Sequence, residues 1–202
     1  MSAPVISIGS NSSGYLDIII GPMYSGKTSY LLRELTIFSK MSAKVLYINH
    51  TIDDRSDKDF STHNPLITDI GKIDTIKTSE LYHVMEKCKE YSIIGIDEAQ
   101  FFNGLKTFVL ELVETYGKRV IVTGLNGNFK REVFGEVLEL IPCCDRLTKL
   151  SSCCQQCANR KMIKEAHFSY RLSGSKEDTE IMVGGSSEYV PLCRDCFLTK
   201  KI

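Results

Sequence analysis

Residues 21–28 read GPMYSGKT, which fits the pattern G-x-x-x-x-G-K-[ST]. In such a stretch the glycines let backbone N–H groups close around phosphate oxygens, and a following helix adds its dipole. Gly21, Pro22, Met23, Tyr24, Ser25 and Gly26 would form the cradle; Lys27 would neutralise the β- and γ-phosphates and the Thr28 hydroxyl would sit on Mg²⁺. A second segment, IIGIDEAQFF at 93–102, is an apolar run ending in two carboxylates. At the carboxyl edge of an open sheet, Asp97 fits an acid that organises Mg²⁺. Glu98, expected to alternate to the other side of the strand end, could take a proton from an acceptor hydroxyl. The two segments together specify a site for a nucleoside triphosphate with Mg²⁺. A third group is a pair of C-x-x-C knuckles, Cys154/Cys157 and Cys193/Cys196, with 35 residues between them. Four thiolates at that spacing build a tetrahedral Zn²⁺ site that is closed, hence structural and not catalytic. Cys153 leaves the first ligand ambiguous, although C-x-x-C geometry favours Cys154; Cys143 and Cys144 lack a partner pattern and read as core residues near a strand.

These groups need a scaffold, and the hydropathy pattern supplies one. Residues 16–20 (LDIII) form a buried strand directly before the phosphate loop, and Leu31, Leu35 and Phe38 recur at helical spacing after it. Further strands are expected at 44–48, 92–96 and 119–123. Leu81, Val84, Met85 and Cys88 mark one amphipathic helix, and Leu105, Phe108, Val109, Leu112, Val113 and Tyr116 a longer one. Residues 51–64 are polar and charge-mixed, hence a loop. Strands alternating with helices imply an α/β fold: a mostly parallel sheet with helices on both faces, P-loop NTPase-like. Around Thr148 the alternation gives way to a cysteine-rich part. The expected division is a tail at 1–15, an ATP-binding domain at 16–148 and a zinc-binding subdomain at 149–202.

Composition narrows the class. Among 202 residues, Lys plus Arg number 25 and Asp plus Glu 25, so the formal net charge is zero. That removes the basic excess expected of a chain living on nucleic acid or an anionic membrane. No apolar run nears the roughly 18 residues that span a bilayer. The first basic residue is Lys27, so the N-terminus lacks the charged start of a signal peptide. A cytoplasmic, reducing setting is therefore expected, in which eight cysteines point to metal before disulfides.

Taken in order, GPMYSGKT, the acidic and basic loop at 53–63, IGIDEAQFF, GLNGNFKREVFG and the two C-x-x-C pairs resemble the thymidine kinases of the cellular and poxvirus type. The resemblance runs from about residue 18 to 197. It implies transfer of the ATP γ-phosphate to the 5′-hydroxyl of thymidine, with Glu98 as base and Lys27 and Arg55 as catalytic cations. By the same resemblance Asp53, Asp54 and Arg55 approach the phosphates and Mg²⁺, together with Asp97, Glu98, Ala99 and Gln100. Met23, Phe101, Leu125, Phe129 and Phe134 match positions lining the base pocket. A lasso closing over the nucleoside would begin near Ser169, Arg171 and Leu172. It would use Glu180, Ile181, Met182, Val183 and Gly184, with Gly185 adjacent and Tyr189 after it. The family also implies feedback inhibition by thymidine triphosphate, a homotetramer, and no nucleic-acid or membrane partner. This chain departs from the pattern at Asn126, where Asp is common, at Ala99, where many members have Gly, and by a few extra residues between Cys157 and Phe168. It ends at Ile202, six residues beyond Cys196, where animal cytosolic members are expected to carry a long regulatory tail. A phosphate-loop ATPase whose zinc module binds nucleic acid is the alternative class, and deoxyuridine or a broader pyrimidine range the alternative acceptor.

Overall fold

The computed structural model describes residues 13–52, 72–172 and 188–199. β1 (Tyr15–Gly21) is buried along nearly its whole length and delivers the chain into the phosphate loop. α1 (Lys27–Lys40) follows and buries Leu31, Leu32, Leu35 and Phe38 on one stripe. Then come β2 (Val45–His50), β3 (Ile73–Thr78), a 3₁₀ turn at Leu81–Val84, α2 (Met85–Cys88) and β4 (Ile93–Ile96). α3 (Leu105–Leu110) widens into a π turn over Glu111–Thr115, ahead of β5 (Arg119–Leu125). A 3₁₀ segment, Val137–Cys143, leads into β6 (Arg146–Lys149).

The six strands lie in the order β3-β2-β4-β5-β1-β6, and all five pairings are parallel. Parallel strands need covered faces, and both are covered. Leu16, Ile18, Ile20, Leu46, Ile48, Ile94, Ile96, Val120 and Val122 pack with Leu81, Met85, Leu105, Phe108 and Leu112 on one face. Ile19, Val45, Tyr47, Ile93 and Ile121 pack with Leu31, Leu32, Leu35 and Phe38 of α1 on the other. The alternation of one strand, Leu16, Ile18 and Ile20 one way and Ile19 the other, thus feeds two cores.

Two sequence readings need correction, and two strands are not among those expected. The helix expected at 81–88 is a 3₁₀ turn followed by a single α turn, because only Leu81, Met85 and Cys88 are buried and no cap extends it. Cys143 is exposed and not a core residue, whereas Cys144 is partly buried and packs against the core beside β6. The edge strands β3 and β6 escape periodicity because they are half-exposed and carry lysines and arginine among the apolar residues.

Beyond the sheet, β7 (Ser152–Cys153), α4 (Gln155–Ala158) and β8 (Glu165–Ala166) form the first knuckle; β9 (Phe168–Arg171), β10 (Tyr189–Leu192) and α5 (Arg194–Thr199) form the second. β7 pairs antiparallel with β8, and β9 with β10. The small core of this module holds the four knuckle cysteines with Ala166, Tyr170, Leu192 and Phe197.

At the end of the sheet away from the phosphate loop, Asp17 of β1 is fully buried and ion-paired to both Arg119 of β5 and Arg146 of β6. Arg146 also reaches Glu34 of α1 at 3.2 Å. One carboxylate therefore ties three strands and, through Arg146, a helix. Asp17→Ala leaves two guanidinium groups facing a vacated site and is expected to cost about 3 kcal/mol, the low end of the range for a broken buried pair, because Arg146 is 37% exposed. Urea unfolding of the two proteins measures it.

Candidate active site and cysteine cluster

The phosphate loop turns directly off the carboxyl end of β1. A Cβ on Gly21 would meet the Ser25 hydroxyl oxygen at 2.6 Å and the Leu150 carbonyl at 2.9 Å, so the loop closes this tightly only on glycine. Gly26 caps α1 at φ 80°, and no acidic residue occupies the helix's first turn. The helix dipole is thus left to act on an incoming anion. The Ser25 hydroxyl donates to the Pro22 carbonyl at 2.8 Å, and the buried Lys27 ammonium donates to the same carbonyl at 2.9 Å. Met23 is half-buried and Tyr24 is exposed, with its backbone at φ 61°.

β4 brings the two carboxylates to the same edge. Asp97 is buried and accepts hydrogen bonds from the Tyr47 hydroxyl of β2 at 2.9 Å, from the Glu98 N–H at 2.9 Å and from the Thr123 hydroxyl of β5. The Thr28 hydroxyl at the head of α1 also favours the charged form of Asp97. Burial pushes the Asp97 carboxyl above its ordinary range, the neighbouring Glu98 charge adds to that, and the Thr123, Thr28 and Tyr47 hydroxyls oppose it. Glu98 does not continue the strand alternation: β4 ends at Ile96, and Glu98 sits at φ 48° in the left-handed region. This turn aims its carboxylate at Gln100, whose amide donates to it at 2.7 Å. The Gln100 oxygen in turn accepts from the Leu125 N–H at 3.1 Å, which fixes the amide's orientation. Ala99 is buried in the core behind them.

An aromatic wall stands beside the carboxylates. Phe101 and Phe134 meet edge to face at 5.6 Å, and His50 lies 5.8 Å from Phe101. Burial lowers the His50 imidazole below its ordinary value, against the opposing pull of Glu80. Phe129 stacks under Arg171 at 5.3 Å, and Leu125 ends β5. Met23, Phe101, Leu125, Phe129 and Phe134 are all half-buried. The loop carrying Phe129 and Phe134 is held by Asn128, whose side-chain oxygen accepts from the N–H groups of Lys130 and Glu132, each at 2.9 Å. Glu136 anchors its far end by accepting from the Gly104 and Lys106 N–H groups at the start of α3.

The four knuckle sulfurs lie within 4.8 Å of one another and all four residues are buried. Cys157 is 3.9 Å from Cys193 and 3.6 Å from Cys196, sulfur to sulfur. Tetrahedral zinc with bonds near 2.3 Å sets its sulfurs about 3.8 Å apart, so the donor set and spacing fit that ion. Burial alone would raise the Cys154 thiol, but backbone hydrogen bonds from Cys193 and Cys157 and the neighbouring thiols bring it down to about 6, while burial pushes Cys196 up to about 12. Cys153 is exposed, and it is Cys154 that lies in the four-sulfur cluster.

The structure thus brings Gly21 to Thr28, Asp97 to Gln100, the aromatic wall and Ser169 to one sheet edge, and the four cysteines to one cluster. Tyr189 is buried on β10, opposite Arg171. Asp53, Asp54, Arg55 and Glu180, Ile181, Met182, Val183 and Gly184 lie outside the described residues. Sequence reasoning missed Tyr47 and Thr123, which satisfy Asp97; a polar group closing an apolar strand, as in RVIVT, is the one local signal for the second.

A family model described as thymidine kinase matches residues 14–197. The thymidine kinase of Choristoneura biennis entomopoxvirus is 39% identical over 188 residues, covering 90% of this chain and 95% of that one. The thymidine kinase of Vaccinia virus (strain Western Reserve) is 36% identical over 188 residues, covering 93% and 98%. The cytosolic thymidine kinase of Cricetulus griseus is 34% identical over 202 residues, covering 99% of this chain and 81% of that one.

The Asp97 environment sets a pH dependence. Its folded carboxyl is held above the ordinary value of 3.8, so the folded state binds this proton more tightly than the unfolded chain does. Stability from this group is therefore full below the unfolded value and is lost as pH rises through the folded one. Asp97→Asn removes that loss. The nucleotide-free variant is expected to exceed the parent's stability at pH 7 by about 1 kcal/mol or more, with the gap closing toward pH 4, in urea titrations across that range.

Proposed function

The chain belongs to the thymidine kinase family, and on that premise we propose that it transfers the γ-phosphoryl group of ATP to the 5′-hydroxyl of thymidine, giving thymidine monophosphate and ADP for nucleotide salvage. The observation that carries the reading is the buried Asp97 at the carboxyl edge of β4, its charged form favoured by the Thr28 hydroxyl at the head of α1, with Glu98 one residue on. The backbone of residues 22–26 and the α1 N-terminus receive the phosphates. Lys27 leaves the Pro22 carbonyl for the β/γ oxygens. Thr28 and Asp97 would hold Mg²⁺, which would supply charge neutralisation at the phosphates. Glu98, oriented by Gln100, accepts the 5′-hydroxyl proton as its oxygen bonds phosphorus and the bond to the ADP oxygen breaks.

The rest of the reading comes from the family pattern. Asp53, Asp54 and Arg55 serve the phosphates; Phe101, Phe129, Phe134, Leu125 and Met23 enclose the base; Ser169, residues 180–184 and Tyr189 close over the nucleoside. Cys154, Cys157, Cys193 and Cys196 hold structural Zn²⁺. The chain divides into the tail, ATP-binding domain and zinc-lasso subdomain, works as a cytoplasmic homotetramer, accepts deoxyuridine as well, and is inhibited by thymidine triphosphate. No helix among the described residues is long and apolar enough to cross a membrane.

The test is phosphate transfer from labelled ATP with Mg²⁺ to thymidine, deoxyuridine, deoxycytidine and deoxyadenosine, beside a no-acceptor control. Labelled monophosphate is expected with thymidine and deoxyuridine only. ATP hydrolysis without any labelled nucleotide contradicts the kinase and favours an ATPase. Glu98→Gln is expected to lower kcat by about 10²–10⁴-fold with ATP binding little changed, and near-parental turnover removes Glu98 as base.

A further inference from the structure

Two hydroxyls of the cysteine module touch the phosphate loop, and no step of the transfer above uses these two contacts. Ser169 lies on β9 opposite Pro191 of β10, the strand that runs into Cys193. It is buried, and its hydroxyl accepts a hydrogen bond from the Met23 N–H at 2.9 Å. Ser152 lies on β7, paired with Ala166 of β8, two residues before Cys154. Its hydroxyl donates to the Tyr24 carbonyl at 3.0 Å. The two contacts grip the Met23–Tyr24 segment at its first N–H and its last carbonyl.

That segment needs holding. Tyr24 is a non-glycine residue at φ 61°, a conformation that carries strain and persists when its surroundings impose it. The loop's downstream half braces itself through the Ser25 N–H and hydroxyl on the Pro22 carbonyl. The module is in turn fixed to the aromatic wall: Arg131 stacks 4.9 Å from Phe197, Arg171 stacks on Phe129, and the Asn126 amide donates to the His167 carbonyl at 3.3 Å. It therefore bridges the two sides of the site.

We propose that the cysteine module is a positioning element for the ATP phosphates: Ser152 and Ser169 clamp the Met23–Tyr24 segment in its strained, cradle-ready form, so that metal occupancy of the cluster governs nucleotide affinity. The inference rests on the phosphate-loop reading above and gives the metal cluster a consequence for ATP binding. Ser169, grouped by family resemblance with the nucleoside pocket, acts here through Met23; Ser152 acts through Tyr24.

The test is ADP·Mg²⁺ affinity by isothermal calorimetry, with zinc content and melting temperature measured in parallel. The proteins are the full chain, Ser152→Ala, Ser169→Ala, the double variant, and the rescue variants Ser152→Thr and Ser169→Thr. Each alanine variant is expected to bind ADP about 2- to 10-fold more weakly, with one zinc per chain retained, and each threonine variant to recover most of the loss. Thymidine affinity of Ser152→Ala stays at the parental value. Chelating zinc weakens ADP binding in the parent but adds little in the double variant. Alanine variants that melt earlier yet bind ADP as the parent does show a merely structural contact and overturn the proposal, as do folded, zinc-loaded variants with parental affinity. A parent chain that binds no ADP defeats the phosphate-loop reading, and this inference with it.

Discussion

A carboxylate with almost no solvent contact organises this site. Asp97 is 1% exposed, and a buried carboxylate survives only where donors replace water. Its donors come from three places in the chain, Tyr47 on β2, Thr123 on β5 and the Glu98 N–H, and the Thr28 hydroxyl at the head of α1 also favours its charged form. Only a sheet with β4 between β2 and β5, and with β1 delivering α1 next to β5, assembles that set. The strand order and the acid are thus two views of one constraint. Directly after Asp97 the chain turns at Glu98 into the left-handed region, where the Glu98 carboxylate meets the Gln100 amide.

Much of this was legible in the sequence because the informative features are local. GPMYSGKT is eight contiguous residues whose pattern is readable from its own glycines, Lys27 and Thr28, and IIGIDEAQFF announces a doubly buried strand followed by acids. The strands at 16–20, 44–48, 92–96 and 119–123 all formed, each within two residues of its expected ends, because burial on both faces leaves an unbroken apolar run. The two C-x-x-C pairs likewise declared the cluster, and only the choice of Cys154 over Cys153 needed coordinates.

What escaped the sequence depends on contacts between distant residues. The edge strands RLTK and IDTIKT carry no pattern of their own and form because β1 and β2 offer open edges. Tyr47 reads as one more core aromatic until its hydroxyl is seen on Asp97, 50 residues away. Ser152 reaches Tyr24 across 128 residues and Ser169 reaches Met23 across 146, and no local pattern distinguishes these serines from others. Glu136 caps α3 from 30 and 32 residues downstream, where a local N-cap side chain is missing. In each case a polar group completes an element distant from it in the chain.

The central claim is that Asp97, paired with Thr28, is the metal-organising acid of a phosphate-transfer site. Its most direct test is a Mn²⁺ titration in the presence of ADP, followed by electron paramagnetic resonance, on the zinc-loaded parent and on Asp97→Asn. The account predicts one ADP-dependent Mn²⁺ per parent chain and at least about tenfold weaker Mn²⁺ binding in the variant, with the zinc cluster intact. Equal Mn²⁺ affinity in the two proteins would contradict it and send the metal site elsewhere in the fold.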